Sequence, residues 1–157
     1  MSAVWTTPKN WNVGELLIAA DMNTHLRDNL DWLKSRPFNS VAVATTTTTS
    51  TSFVQMTGAS VSLTSVGGSV LIMASMVVYG SAACTITTDF AVDGTRVGHT
   101  TNGLLALTSA PSNVNATMVW ITPTPPSAGA HTYTVWWKTS AGTATAADYR
   151  LFVMEVR

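Results

Sequence analysis

The chain has 157 residues and a formal net charge of +0, with eight Lys or Arg balanced by eight Asp or Glu. Charged residues make up only 10% of it, against roughly 25% in an average soluble domain. That excludes electrostatic binding of nucleic acid and leaves Thr, Ser, Ala and Asn to cover the surface.

Residues 1–13 contain Trp5, Pro8 and Trp11 with little periodicity. A pair of tryptophans on a short irregular arm needs cover, because left exposed it is a sticky patch. Two readings stay open. The arm folds back against Leu16, Leu17 or Trp32, or Trp5 and Trp11 anchor the chain in a neighbouring protein, where Trp is a favoured hot-spot residue. Residues 1–11 also lack the basic start and apolar core of a secretory signal. The longest apolar run, Val70 to Val78, is far short of the roughly 20 residues that span a bilayer. A protein made in the cytoplasm, with no membrane partner, is expected.

Gly14 to Arg36 is the one strongly helical stretch. Ala19, Met22, Leu26, Leu30 and Leu33 recur at steps of three and four, which places them on one stripe of a helix. Asp21 in the first turn and Lys34 and Arg36 in the last suit the helix dipole, and Pro37 stops the helix. Read as a heptad, Ala19, Met22, Leu26, Asn29 and Leu33 fall at the inward positions, where an Asn fixes strand number at a cost in stability. Met22, Leu26, Asn29 and Leu33 are therefore candidate trimerisation residues. Two heptads are too few to associate alone, but a domain that already trimerises raises their local concentration.

Trp11, Gly14-Glu15, Ala19-Ala20-Asp21, Asn23, Arg27 to Leu30 and Leu33-Lys34 together resemble the N-terminal segment of many tailed-phage virion proteins. There the segment precedes a small β domain in tail-fibre, minor-tail or other structural components. The likeness covers about a fifth of the chain. The family often has Thr or Ser as an N-cap just before the Ala-Ala-Asp, and here Ile18 stands there. Asn12 and Glu15, spaced as a capping box, are then expected to start the helix earlier.

Thr45 to Ser52 is an unbroken Thr/Ser tract, read as a joint between helix and β domain; a solvated edge strand fits equally. Phe38 to Val43 reads as a short strand. From Phe53 on, strands and turns alternate as in an antiparallel sandwich: Phe53–Met56, Val61–Thr64, Val70–Tyr79, Cys84–Val92, Leu104–Leu107, Val114–Thr122, Thr132–Thr139 and Tyr149–Val156. Asp93-Gly94 and Asn102-Gly103 are hairpin signals. About eight strands without a helix fit a jelly roll. Three strands are apolar on both faces: Val70 to Tyr79, Met118 to Ile121, and Leu151 to Val156. One core cannot cover both faces, so a second buried surface between subunits is expected. Phe90 to Gly94, Ser127 to Thr132 and the closing Leu151 to Val156 are also similar to the TNF/C1q-like jelly rolls at the ends of phage fibres, a resemblance that implies homotrimers.

Catalytic chemistry has little footing. Asp89, Asp93, His99, His131, Asp148 and Glu155 are the titratable candidates of the β region. Asp93 is better explained by its turn and His131 by a loop-to-strand junction. Cys84 is the only cysteine, which rules out an intrachain disulfide and a thiolate site, and no His/Asp/Glu spacing matches zinc. His25 is a metal candidate only if it faces a three-fold axis; pairing with Asp21 suits its position better. Tyr79, Trp136 and Tyr149 are candidates for stacking on sugar rings.

The expected architecture is mainly β: an antiparallel jelly-roll sandwich preceded by one N-terminal amphipathic α-helix, trimeric. Residues 1–37 form the arm and helix, 38–52 the joint and 53–157 the jelly roll. The expected role is a structural protein of a tailed-phage virion, on capsid or tail, made in the host cytoplasm. Its partners would be two further copies and other virion proteins. No enzyme activity, cofactor, metal or nucleic acid is expected. The alternative is a module recognising a host-surface glycan.

Overall fold

Pro37 separates two kinds of sequence, and the chain divides there. In the computed structural model, which describes residues 6–109 and 112–156, the two compact units are Met1–Pro37 and Phe38–Arg157.

In the first unit the helix opens at α1 (Ala19–Met22), passes through a π-helical stretch (Asn23–Arg27) and continues as α2 (Asp28–Lys34). Its N-cap, Ile18, is extended and offers no side-chain hydrogen bond. The capping-box pair does form, but around a separate turn. Asn12 N–H donates to Glu15 Oε2 at 3.0 Å and Glu15 N–H to Asn12 O at 3.1 Å. Gly14, inside that turn, takes φ +80°, a conformation costly for other residues and outside the helical region, and the helix starts at Ala19 rather than at Asn12. Within the π stretch Asp28 N–H reaches back to Asn23 O, five residues away. That inserts about one extra residue into the repeat and rotates everything downstream by roughly 100°.

The second unit is two antiparallel sheets. The first runs β1 (Phe38–Thr48), β9 (Ala144–Val156), β3 (Ser69–Gly80), β7 (Val114–Ile121). The second runs β2 (Val54–Ser65), β8 (Gly129–Thr139), β4 (Cys84–Val92), with β5 (Thr95–Arg96) and β6 (Leu105–Ser109) both pairing along β4. From β1 to β4 the chain changes sheet at every connection, and it does so again from β6 through β9. Even-numbered residues of β3 (Val70, Ile72, Ala74, Met76, Val78) point into the core with Leu151 and Val153 of β9. They meet Ile86, Phe90, Tyr133, Val135 and Trp137 from the other sheet. Each large side chain buried here contributes roughly 1.5–3 kcal/mol.

Several expected boundaries move. The tract read as a joint is largely strand: Thr45 to Thr48 pair with Ala147 to Ala144 at the sheet edge. Phe53–Met56 and Val61–Thr64 are one strand with a bulge between Gln55 and Ser60, where Gly58 takes φ +81° beside Val43 and the Tyr149 hydroxyl. Asp93 (φ +50°) and Gly94 (φ +80°) form the two-residue hairpin between β4 and β5, as the primed-turn signal requires. At Asn102-Gly103 the turn is longer, closing by a bridge between His99 and Gly103.

Candidate interaction surfaces

Strand register assembles an apolar surface on the outer face of the four-stranded sheet. Phe38, Met154, Leu71 and Ile121 stand in one row, and Ser40, Phe152, Met73 and Val119 in the next. Phe38 is 67% exposed, Val119 56%, Ile121 53% and Met73 37%, and the Phe38 and Phe152 rings tilt together at 6.3 Å. Strands about 4.8 Å apart and rows about 6.7 Å apart make this patch on the order of a few hundred Å², comparable to the largest patch of a typical monomer, which is often functional. The third row turns polar, with Ala42, Arg150, Ser75 and Thr117. Arg150 is exposed and has no ion-pair partner among the described residues.

The first unit presents a second surface. Its arm runs antiparallel to the helix, held by three side chains spaced four apart. Asn29 clasps the Thr6 backbone from both sides: Thr6 N–H donates to Oδ1 at 2.9 Å, and Nδ2 donates to Thr6 O at 2.8 Å and to His25 O at 3.1 Å. His25 Nδ1–H donates to Thr7 O at 3.2 Å. Asp21 Oδ2 accepts from Lys9 Nζ at 2.8 Å, and Lys9 also pairs with Glu15 and lies over the Trp11 ring at 4.8 Å. Those two carboxylates hold the Lys9 ammonium above its ordinary value. Trp11, 40% exposed, borders a groove of about 600 Å³ with Pro8, Leu17, Met22 and Leu26. Met22, Leu26, Leu30 and Leu33 form an exposed stripe.

Asn29 is a correction. It is 5% exposed, and its amide is spent on the arm rather than offered to symmetry mates. Asn29 lies four residues on from His25 and shares its arm-facing side, while Leu30 keeps the place on the stripe that its spacing from Leu26 gives it. His25 pairs with Thr7, not with Asp21. Trp5 lies outside the described residues. Tyr149 is likewise corrected as a sugar-stacking candidate: it is fully buried, its hydroxyl donates to Thr57 O at 2.9 Å, and burial pushes the phenol up to about 12. Tyr79 and Trp136 are both half-buried, on strands of opposite sheets, so the three aromatics do not converge.

Asp93, His131 and Ser127 do come together at the β4–β5 turn. His131 Nδ1 lies 2.7 Å from Asp93 Oδ2, and Nε2 lies 2.9 Å from Ser127 O. Nδ1 donates to the Asp93 carboxylate, and Nε2 faces both the Ser127 carbonyl and, at 3.5 Å, the Ser127 hydroxyl. Asp93 is the main cause of the raised His131 value, and His131 in turn lowers that of Asp93. Among the described residues no group of three or more His, Cys, Asp or Glu is placed to hold a metal ion.

Two of the titratable candidates, Asp89 and Glu155, are buried, which the sequence reading did not indicate. Asp89 is fully buried, accepting from Arg96 Nε at 2.8 Å and Gly98 N–H at 2.9 Å, with Arg96 stacked on Phe53 at 3.4 Å. The Asp93-Gly94 hairpin register, which sets 91 opposite 96, was the available signal. Glu155 is 1% exposed and accepts from Val66 N–H at 2.8 Å and from Gly68 N–H. A Cβ at Gly68 would run into that carboxylate.

No known family model and no curated protein sequence matches the chain. Among solved structures it is similar to "Structure of infectious bursal disease virus Gx strain" (14% identity, TM-score 0.48, covering 76% of this chain and 32% of that one). It is also similar to the Gt-strain structure (10%, 0.42, 75% and 32%) and to the enzymatically active domain of the bacteriophage CBA120 tailspike protein 4 (11%, 0.29, 71% and 19%). The chain spans about a third or less of those structures. At these identities and scores the likenesses establish neither a shared fold nor a shared role. No helix among the described residues is long and apolar enough to cross a membrane.

Proposed function

We propose that the chain is a structural, self-assembling component of a virus particle: a homotrimeric jelly roll displayed on a capsid or tail and attached through its N-terminal unit. The observation that carries this reading is the apolar outer face of the four-stranded sheet, where Phe38, Leu71, Met73, Val119, Ile121, Phe152 and Met154 lie side by side. A sandwich that ended as a monomer would be polar there. The strand order β1-β9-β3-β7 over β2-β8-β4-β6 supports the jelly roll, since it is that of two interleaved Greek keys. The N-terminal residues that resemble tailed-phage virion proteins support the setting, and Trp11 at its open groove supports attachment there. In this reading the chain works by assembly, without catalysis. Light scattering coupled to size exclusion is expected to give three times the 16.6 kDa chain mass. A monomer at micromolar concentration overturns the assembly reading, and absence of the chain from purified particles overturns the virion setting.

A further inference from the structure

Where the β4–β5 turn meets the loop after β7, the second unit carries a groove of about 420 Å³ that the assembly reading leaves unused. That volume lies within the roughly 300–1,000 Å³ of small-ligand sites. Its apolar walls are Trp120, Pro123, Pro126, Val92 and Val97, and its polar groups are Asp93, His131, Thr122 and Thr124. We propose that this groove binds a neutral sugar ring, stacked on Trp120 and hydrogen-bonded at its rim to Asp93 and Thr124.

The chemistry selects that class. A half-buried indole in the same lining as two prolines offers an apolar wall for the C–H face of a pyranose. The Asp93 carboxylate accepts one bond at each oxygen, from His131 and from Thr132 N–H at 2.8 Å. Each oxygen keeps a further lone pair, and the side chain is 51% exposed, so it still has capacity for ligand hydroxyls. The Thr124 side chain is exposed at the rim. With His131 protonated, Asp93 and His131 form an ion pair of zero net charge, which favours neither an anionic nor a cationic ligand. The site is also pre-shaped: His131 ties the Ser127 end of the loop to the Asp93 turn, and proline fixes φ at two wall positions. This inference does not rest on the trimer, so the two fail separately.

The test titrates the full chain with methyl glycosides of glucose, galactose, mannose and N-acetylglucosamine, followed by amide and indole NMR shifts. Saturable shifts at Val92, Asp93, Thr124 and the Trp120 indole are expected with at least one glycoside. Asp93→Asn keeps a residue that tolerates positive φ but removes the charge, and it should weaken that binding about tenfold. Thr124→Val, on an exposed position, should weaken it several-fold with the fold intact. No saturable shift with any glycoside overturns the proposal. So does binding that shifts other residues and is untouched by both variants.

Discussion

Replacing Asn29 with leucine separates two roles for that position. At the axis of a helical trimer a leucine would raise the melting temperature, as apolar residues at inward positions do. As the clasp of the arm, Asn29 supplies an acceptor to Thr6 N–H at 2.9 Å and a donor to Thr6 O at 2.8 Å, and leucine supplies neither. Two such bonds contribute roughly 0.5–1.5 kcal/mol each, so the docked arm loses roughly 1–3 kcal/mol. The open fraction should then rise about five- to 150-fold. Leucine at a site 5% exposed recovers part of this through burial, which places the expected result toward the lower end. Amide exchange reads the effect directly: the Thr6 amide should exchange faster by that factor while amides of β3 and β9 are unchanged. Trypsin should also cut sooner after Lys9. Unchanged exchange at Thr6 together with a higher melting temperature would refute the clasp and restore Asn29 to an axis.

The remaining expectations concern the second unit. Val119→Lys on a free surface would alter stability by no more than about 0.5 kcal/mol, but buried unpaired between copies it costs several; the variant should run at monomer mass, and retention of three chain masses would move the interface elsewhere. The His131–Asp93 clamp should be strongest between about pH 4 and 6.5. Its His131 contribution is full below the ordinary 6.5 and lost as pH rises through the raised folded value, and the Asp93 contribution is full above the ordinary 3.8 and lost as pH falls through the lowered one. An NMR titration of the His131 ring should give a midpoint above 6.5 that falls back in Asp93→Asn. Glu155→Gln should cost about 1–3 kcal/mol, because one carbonyl cannot serve both Val66 and Gly68 N–H groups and the new NH₂ faces donors; an unchanged melting temperature would show that the turn finds other partners.

What was legible in the sequence follows from which signals are local. The apolar alternation of Val70 to Tyr79 and Leu151 to Val156 gave both the strands and their two apolar faces. The Asp93-Gly94 dipeptide gave its hairpin. The helical stripe through Leu30 and Leu33 was readable from steps of three and four, but the heptad place of Asn29 was not, because heptad counting assumes a constant repeat and the π stretch breaks it. The Thr tract was ambiguous by propensity, since only pairing with β9 makes it a strand. Tyr149 shares the parity of Leu151 and Val153, so its burial was available from the alternation. The three-residue clasp on the arm was not, because it depends on where an irregular segment folds back.

The two apolar surfaces explain each other better together than apart. The stripe from Met22 to Leu33 covers about two heptads, fewer than the three or four a lasting coiled coil needs. The sheet patch, at a few hundred Å², is smaller than the roughly 800 Å² per partner of a standard interface. One chain carries both, so association at either holds the other at an effective concentration in the millimolar range. In the proposed trimer this coupling lets two marginal contacts act as one stable one. The polar positions of the helix fit the same arrangement. Asp21, His25 and Asn29 spend their hydrogen bonds on the chain's own arm, which leaves the stripe of Met22, Leu26, Leu30 and Leu33 free for other copies. A helix this short can do both because each set keeps a spacing of three or four, Asp21, His25 and Asn29 toward the arm and Met22, Leu26, Leu30 and Leu33 on the exposed stripe.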